Sequence, residues 1–188
     1  MASSDKRAAF TRVADELYAD LYRYAYRLTG RVDQAEELTQ ESLLRGFEQY
    51  AKLRNPERVK PWLIQILRNF FLQDKRFEKS HPHQTMDGTS EPVSPDVPVA
   101  TGLDTSGVDL LQAVLNELPE IYRSPIILYY FDDLDYRAIA DLMEVPIGTV
   151  MSRLARAKEK LRERLDPHAE SLGFLPERPT TAGRVGIS

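Results

Sequence analysis

The sequence predicts an all-α protein made of two small helical domains joined by a flexible acidic linker. Apolar residues recur at steps of three and four residues in two stretches of the chain, which is the periodicity of an α-helix. Neither stretch shows the period-two alternation that is typical of half-buried β-strands, and a proline-containing polar segment separates them. We therefore divide the chain into domains at 8–79 and 108–166, a linker at 80–107 and a C-terminal extension at 167–188.

The first domain is predicted to begin with two helices. The first ends at Thr29-Gly30, because glycine readily adopts the left-handed conformation that follows a helix. The second covers Asp33–Tyr50, with Asp33 as its N-cap and Glu36 three residues later, as in a capping box. The apolar positions expected to be buried are Val13, Leu17, Leu21, Tyr24 and Leu28 on the first helix, and Leu38, Leu43 or Leu44, Phe47 and Tyr50 on the second.

A third helix is predicted to begin at Pro61, a residue that suits the first turn of a helix, after a polar loop at Leu53–Lys60. Trp62 lies at helical spacing from Ile66, which favours a position in the core. The alternative is that Trp62 stacks on a nucleic-acid base, because residues 45–79 around it carry nine basic and four acidic side chains.

The second domain is predicted to contain four helices. Pro125 falls inside the second of them, and we expect that helix to kink or restart there because proline lacks the amide hydrogen. A turn at Glu144-Val145-Pro146 separates the last two. The predicted helices are Val108–Leu118, a helix opened by Pro119, Tyr136–Met143 and Ile147–Leu165.

Composition excludes several classes of function. The chain has no cysteine, so disulfides and thiolate zinc sites are excluded, and its three histidines lie in polar stretches without ligand spacing. We expect no metal, no cofactor and no enzyme activity, since no nucleophile–base pairing or glycine-rich phosphate loop is present. No apolar run approaches the roughly 20 residues that span a bilayer, and the N-terminus lacks the apolar core of a signal peptide. The expected location is the cytoplasm, without membrane insertion.

The last two helices form a helix-turn-helix pattern. Residues 149–165 contain six basic and two acidic side chains, a net charge of +4. Gly148-Thr149 offers backbone amides at the N-terminus of this helix, where a phosphate oxygen can bind. Arginine can donate two hydrogen bonds to guanine in the major groove. The pattern favours duplex DNA binding over the alternative of a solvated basic face.

Acidic residues are concentrated in two places. The helix Asp33–Tyr50 begins acidic, and because acids near an N-terminus are stabilised by the helix dipole, a solvated face is the default interpretation of these residues alone. Residues 80–109 carry five acidic side chains and no lysine or arginine. Local charge decides what a surface attracts, so the total of −4 does not exclude a nucleic-acid partner.

Both domains resemble a known family. The first is similar to region 2 of the extracytoplasmic-function (ECF) sigma factors of the sigma-70 family in three stretches: LYRYAYRLTG at 21–30, DQAEELTQE at 33–41 and PWLIQILRN at 61–69. The second is similar to region 4 in LNELPE at 115–120, LDYRAIA at 134–140 and VPIGTVMSRL at 145–154. The resemblance implies an alternative sigma factor, which binds core RNA polymerase and directs it to specific promoters.

The resemblance also assigns roles to residues. The acidic helix is expected to bind the clamp helices of the largest polymerase subunit, and region 4 the flap. Expected polymerase contacts are Asp33, Glu36, Glu37, Gln40 and Glu41. Expected contacts to the melted −10 strand are Arg54, Asn55, Arg58, Lys60, Gln65, Arg68 and Asn69. Expected contacts to the −35 duplex are Thr149, Met151, Ser152, Arg153, Arg156, Lys158 and Lys160, although the family often has lysine at 151 and a basic residue at 65.

Several alternatives stay open at this point. The linker either runs through the RNA channel of the polymerase, as the family implies, or is only a tether. The extension is either inert or a docking segment for a regulator, and an anti-sigma factor is a possible partner. The protein could instead be a stand-alone helix-turn-helix regulator, or a sigma-like interaction protein that titrates an anti-sigma factor.

Overall fold

The computed structural model describes residues 3–81, here called the first segment, and 105–165, here called the second segment. These residues form seven α-helices, with two short 3₁₀ turns at Tyr50–Lys52 and Pro56–Arg58. The helices are α1 (Ser3–Thr29), α2 (Val32–Gln49), α3 (Val59–Ser80), α4 (Thr105–Glu117), α5 (Glu120–Tyr130), α6 (Tyr136–Met143) and α7 (Ile147–Leu165). The prediction of an all-α fold is confirmed.

Helix α1 ends where the sequence predicts. Gly30 has φ +73°, and its N–H donates to the Tyr26 carbonyl at 2.7 Å, which satisfies one carbonyl of the last turn. The predicted apolar face is buried at Leu21, Tyr24 and Leu28. This face lies against α2 and α3 and forms the core of the first segment.

The start of α2 differs from the prediction. The helix begins at Val32, and Asp33 lies in its first turn instead of capping it. The Asp33 carboxylate accepts a hydrogen bond from the Arg31 guanidinium at 2.7 Å, so the neighbouring cation replaces the expected capping box. Of the two adjacent leucines, Leu43 packs against the core and Leu44 is 62% exposed.

The loop before α3 contains more structure than predicted. Asn55 caps the 3₁₀ turn Pro56–Arg58, because its Oδ1 accepts a hydrogen bond from the Glu57 N–H at 3.0 Å. Helix α3 then begins at Val59, so the helix start at Pro61 was wrong by two residues, although Pro61 still lies in the first turn. Trp62 is half-buried and packs against the core.

The second segment follows the prediction closely at its end. Asp135 caps α6 by accepting a hydrogen bond from the Ala138 N–H at 2.7 Å, and Glu144 follows α6 in the left-handed conformation at φ 55°. Both α6 and α7 have the predicted bounds. The predicted start of α4 was wrong, because the helix begins three residues earlier. Of the two outcomes expected at the buried Pro125, a kink or a restart, the restart does not occur, since α5 is continuous from Glu120 to Tyr130.

The two segments pack together. Helix α1 contacts α4 and α5, and α3 contacts α6, so the buried residues of both segments form one hydrophobic cluster. Apart from residues 80, 81 and 105–107, the predicted linker lies outside the described residues, as does the predicted extension at 167–188. Within 3–81 and 105–165, no helix combines the length and apolarity required for a membrane span.

Candidate DNA- and polymerase-binding surfaces

The first turns of α7 form an open face at the surface. A Cβ placed on Gly148 would meet no atom within 4 Å, and Met151 is 52% exposed. The Ser152 hydroxyl donates to the Thr149 carbonyl at 3.0 Å, and the Thr149 N–H donates to the Pro146 carbonyl at 2.8 Å. The Thr149 amide is therefore already engaged in the turn, contrary to the sequence-based expectation that it is offered to a phosphate.

The basic side chains of α7 differ in their surroundings. Arg156 and Lys160 are exposed and Arg153 is half-buried. Lys158 points back onto α5, where its Nζ lies 5.6 Å from the ring centroids of Tyr129 and Tyr130. Burial disfavours the charge there, but a hydrogen bond to Tyr130 and the surrounding tyrosines outweigh it and raise the pKa of Lys158.

Helix α7 is held by a regular apolar stripe. Its inward positions are fully or almost fully buried, and they lie against α5, α6 and α4. The capped helix α6 contributes Ile139 and Leu142 to the same cluster. This packing leaves the opposite face of α7 at the surface, in the arrangement of a helix-turn-helix. The stripe consists of Val150, Leu154, Ala157, Leu161 and Leu165.

The predicted polymerase contacts lie on the exposed side of α2. Burial, together with the charges of Asp74 and Glu37, raises the pKa of Glu41. Burial and the charges of Glu37 and Glu78 likewise raise the pKa of Asp74 on α3. Like charges therefore meet across the two helices. The predicted contacts Asp33, Glu36, Glu37, Gln40 and Glu41 are all exposed.

A groove of about 540 Å³ lies beside these acidic residues, between α2 and α3. Leu44 and Phe70 are apolar residues that line the groove, and Glu41 and Asn69 are polar residues that line it. Sequence reasoning missed Leu44 and Asp74 as surface features. The signal for Leu44 was the pair of adjacent leucines at 43 and 44, since a helix can turn only one of them fully inward.

The predicted −10 residues lie on the 3₁₀ turn and along α3. Arg54 and Asn55 are exposed before the turn. Lys60 forms an ion pair with Asp20 of α1 at 2.7 Å. The structure brings Arg58, Lys60, Gln65 and Arg68 onto the side of the first segment that faces the second segment.

Family models match both segments. Sigma-70 region 2 matches residues 13–80, and sigma-70, region 4 matches residues 109–161. The fold and the two surfaces therefore define a sigma-70 protein that contains regions 2 and 4. The region 2 match accounts for the first segment, which a stand-alone helix-turn-helix regulator would leave unexplained.

Several individual sigma factors are similar to this chain in sequence or in structure. The chain is 32% identical over 165 residues to the ECF RNA polymerase sigma factor SigL of Mycobacterium tuberculosis, with 86% of this chain and 91% of SigL covered. It is 29% identical over 168 residues to SigW of Bacillus subtilis, with 84% and 89% covered. The sigma factor RpoE of Bartonella quintana, solved with the anti-sigma factor NepR, is similar at a TM-score of 0.69 and 28% identity, covering 84% of this chain and 97% of RpoE.

The chain belongs to the ECF sigma factors. It is an alternative sigma factor that directs the initiation of transcription. The partners of this activity are core RNA polymerase and promoter DNA. Regulation of transcription and a DNA-binding helix-turn-helix are thus properties of this protein, as the sequence predicts.

Proposed function

We propose that this sigma factor divides polymerase binding and promoter recognition among three of its surfaces. The acidic side of α2 binds the clamp helices of the polymerase, the turn and α3 bind the melted −10 strand, and the start of α7 binds the −35 duplex. The observation that carries the −35 part of this proposal is the open start of α7, where a Cβ on Gly148 would meet no atom within 4 Å and Met151 is exposed. The corresponding domains are 8–79 and 108–166.

The −35 surface is proposed to consist of the predicted residues of α7 except Lys158, and its basic side chains are proposed to have different roles. Arg153 and Arg156 are suited to base edges, since arginine reads guanine with two hydrogen bonds. Lys160, further along the helix, is suited to a phosphate. Lys158 is assigned to packing, because its ammonium group lies against two tyrosine rings. Thr149, Met151 and Ser152 complete the surface.

The −10 surface is proposed to combine a loop with a helix face. Arg54 and Asn55 on the loop provide hydrogen-bonding groups to a base that has left the stack. Arg58 on the 3₁₀ turn, together with Lys60 and Arg68 on α3, contacts the strand. Gln65 provides a neutral hydrogen-bonding group within this row. Trp62 packs against the core, which favours a structural role for its ring.

The polymerase surface is proposed to include the groove as well as the acidic residues. Burial and, after it, repulsion between carboxylates raise the pKa values of Glu41 and Asp74, and a basic partner that binds beside them relieves the repulsion. The exposed Leu44 gives such a partner an apolar contact at the same place. Asn69 is proposed to contribute to this groove, which it lines, in addition to its expected role at −10.

The test is transcription in vitro from a library of randomised promoters, with purified bacterial core polymerase and the full chain. Selected promoters should share a −35 and a −10 element at fixed spacing. Arg153→Ala and Arg156→Ala should change or relax the −35 element and leave the −10 element intact. Selection of a −10 element alone, or variants that select the same −35 element as the wild type, would contradict the assignment of α7.

An anti-sigma factor is proposed as a regulatory partner. RpoE of Bartonella quintana was solved in complex with one, and the structural similarity covers both segments. The chain is proposed to act in the cytoplasm, where bacterial polymerase works. The linker at 80–107 is proposed to run through the basic RNA channel, since residues 80–109 contain five acidic and no basic side chains.

A further inference from the structure

The exposed face of α7 has an apolar side. Ile147 is 47% exposed, Met151 is 52% exposed, and Ala155 is exposed as well. Because these three residues are four positions apart along the helix, they form one row on its surface. Ile147, Met151 and Ala155 are here called the apolar row.

The apolar row lies beside side chains that can form hydrogen bonds. Ser152 and Arg156 belong to the neighbouring row, which begins at Gly148, and both are exposed. Gly148 has no side chain, and a Cβ there would meet no atom within 4 Å, so the approach to Ile147 and Met151 is open. The exposed face of α7 therefore offers a partner one edge with hydrogen-bonding groups and one edge without them.

The apolar row is separate from the core side of the helix. The core side is the buried stripe that runs from Val150 to Leu165. Neither Ile147 nor Met151 belongs to the hydrophobic cluster of the described residues. Since the fold does not use these two side chains for packing, their apolar area is available to a partner that covers it.

The major groove of DNA has the chemistry that matches this face. Residues 149–165 carry a net charge of +4, which attracts the phosphates on both sides of the groove. The N-terminal residues of the second helix of a helix-turn-helix contact base edges. Thymine presents its C5-methyl group there, and apolar side chains contact that methyl. Methionine suits such a contact, because its side chain is flexible and its thioether is polarizable.

We propose that the apolar row recognises the 5-methyl group of thymine in the −35 element, with Met151 as the specificity-determining side chain and Ile147 beside it. The arginines of α7 select base pairs through hydrogen bonds, whereas the apolar row selects thymine through contact with its methyl group. Uracil and cytosine present no methyl group at this position. This inference rests on the proposed role of α7 at −35 and names the chemical group of the DNA that the row selects.

Replacement of thymine by 2′-deoxyuridine tests the proposal, because it removes the methyl group and keeps every hydrogen-bonding group of the base. Each thymine of the −35 element selected by the wild type, on either strand, is replaced singly in a full promoter. Binding by core polymerase that carries the full chain is measured by competition at one salt concentration. At one or two positions the replacement should weaken binding about threefold to fivefold, as expected for the loss of one buried methyl group.

Two results with the wild type would overturn the proposal. One is a selected −35 element that contains no thymine on either strand. The other is equal binding of the parent promoter and all of its deoxyuridine forms. Deoxyuridine in the duplex between the two elements is the matched DNA control and should leave binding unchanged.

Met151→Ala assigns the effect to one side chain. Met151 is exposed, so its truncation should leave the fold intact, and the variant should bind the parent promoter and its most sensitive deoxyuridine form with equal affinity. Ile121→Ala removes an apolar side chain that is 44% exposed on α5, outside the proposed surfaces, and should keep the full deoxyuridine effect. The full effect in Met151→Ala would overturn the role of Met151.

Arg156→Ala separates failure of this inference from failure of the proposed function. If Arg156→Ala relaxes the −35 element while no thymine responds to deoxyuridine, α7 binds the −35 duplex without methyl recognition and only this inference falls. If neither Arg156→Ala nor deoxyuridine changes promoter binding, the assignment of α7 to −35 falls too, and a protein partner replaces DNA as the occupant of the apolar row.

Discussion

At the scale of single residues, Asp132 is the buried acid whose environment most disfavours its charge among the described carboxylates. Burial raises its pKa to about 6, and Asp20 adds to this effect, while Lys60, Arg27 and Arg23 only partly oppose it. Because the folded-state pKa lies above the ordinary value of 3.8, the folded state binds the proton more tightly than the unfolded state. This contribution to stability is fully present below about pH 4 and is lost as the pH rises through 6.

Asp132→Asn should therefore stabilise the protein at high pH. We expect the free energy of unfolding to rise by about 1–2 kcal/mol near pH 8, and the gain to disappear below about pH 4, where the wild-type carboxyl is protonated in both the folded and the unfolded state. Urea denaturation at both pH values measures the effect. Glu163→Gln on the exposed side of α7 should have little effect at either pH. A loss of stability in Asp132→Asn near pH 8 would show that the ion pair with Lys60 outweighs the cost of burial.

Two helical glycines make a matched pair of tests. A Cβ on Gly46 would lie 2.5 Å from a methyl carbon of Leu63 and 3.1 Å from the ring of Phe10, whereas a Cβ on Gly148 meets nothing within 4 Å. Gly46→Ala should destabilise the protein by about 1–3 kcal/mol through overpacking. Gly148→Ala should leave stability unchanged or raise it by up to about 1 kcal/mol through helix propensity. Urea denaturation measures both changes in the free energy of unfolding. Equal changes in the two variants would contradict the close approach of α1, α2 and α3 at Gly46.

At the scale of secondary-structure elements, we expect two lysines of α7 to have different roles, Lys158 in packing and Lys160 in DNA binding. Lys158→Ala loses the contact with Tyr129 and Tyr130 and should reduce the free energy of unfolding by about 0.5–1 kcal/mol. Lys160→Ala should leave stability intact and reduce the salt dependence of promoter binding by about one released ion. The salt dependence is measured as the slope of the logarithm of the promoter-binding constant of the polymerase complex against the logarithm of the salt concentration. A reduced slope in Lys158→Ala alone would reverse the two roles.

The elements that the sequence predicts best are those with strong local signals at both ends. Helix α6 has Asp135 before it and a turn with Pro146 after it, and α1 ends at Gly30 with positive φ. The start of α2 was wrong because Arg31 competes for the Asp33 carboxylate, a pairing that the capping pattern does not contain. Helix α5 continues through Pro125, a residue at which local rules predict a break.

At the scale of the whole molecule, basic side chains of the first segment lie against acidic side chains of the second. The contacts of Arg68 with Glu120, Arg58 with Asp141 and Gln65 with Glu144 join side chains that are 52 to 83 residues apart in the sequence. Periodicity along a chain gives each helix an inner face but does not specify its distant partner. The all-α fold and the family could therefore be predicted from the sequence, and the roles of individual surface residues stay predictions, whereas the contact between the two segments required the structure.

The acidic side of α2 is proposed to bind core RNA polymerase, and gel filtration with purified bacterial core enzyme measures this contact. The wild type should elute with the polymerase. Glu37→Lys/Glu41→Lys should elute separately, because the two substitutions replace attraction to a basic partner with repulsion. Asp15→Lys/Glu16→Lys makes the same charge change on the exposed side of α1 and should still elute with the polymerase. Co-elution of the folded Glu37→Lys/Glu41→Lys variant with undiminished affinity would contradict the account.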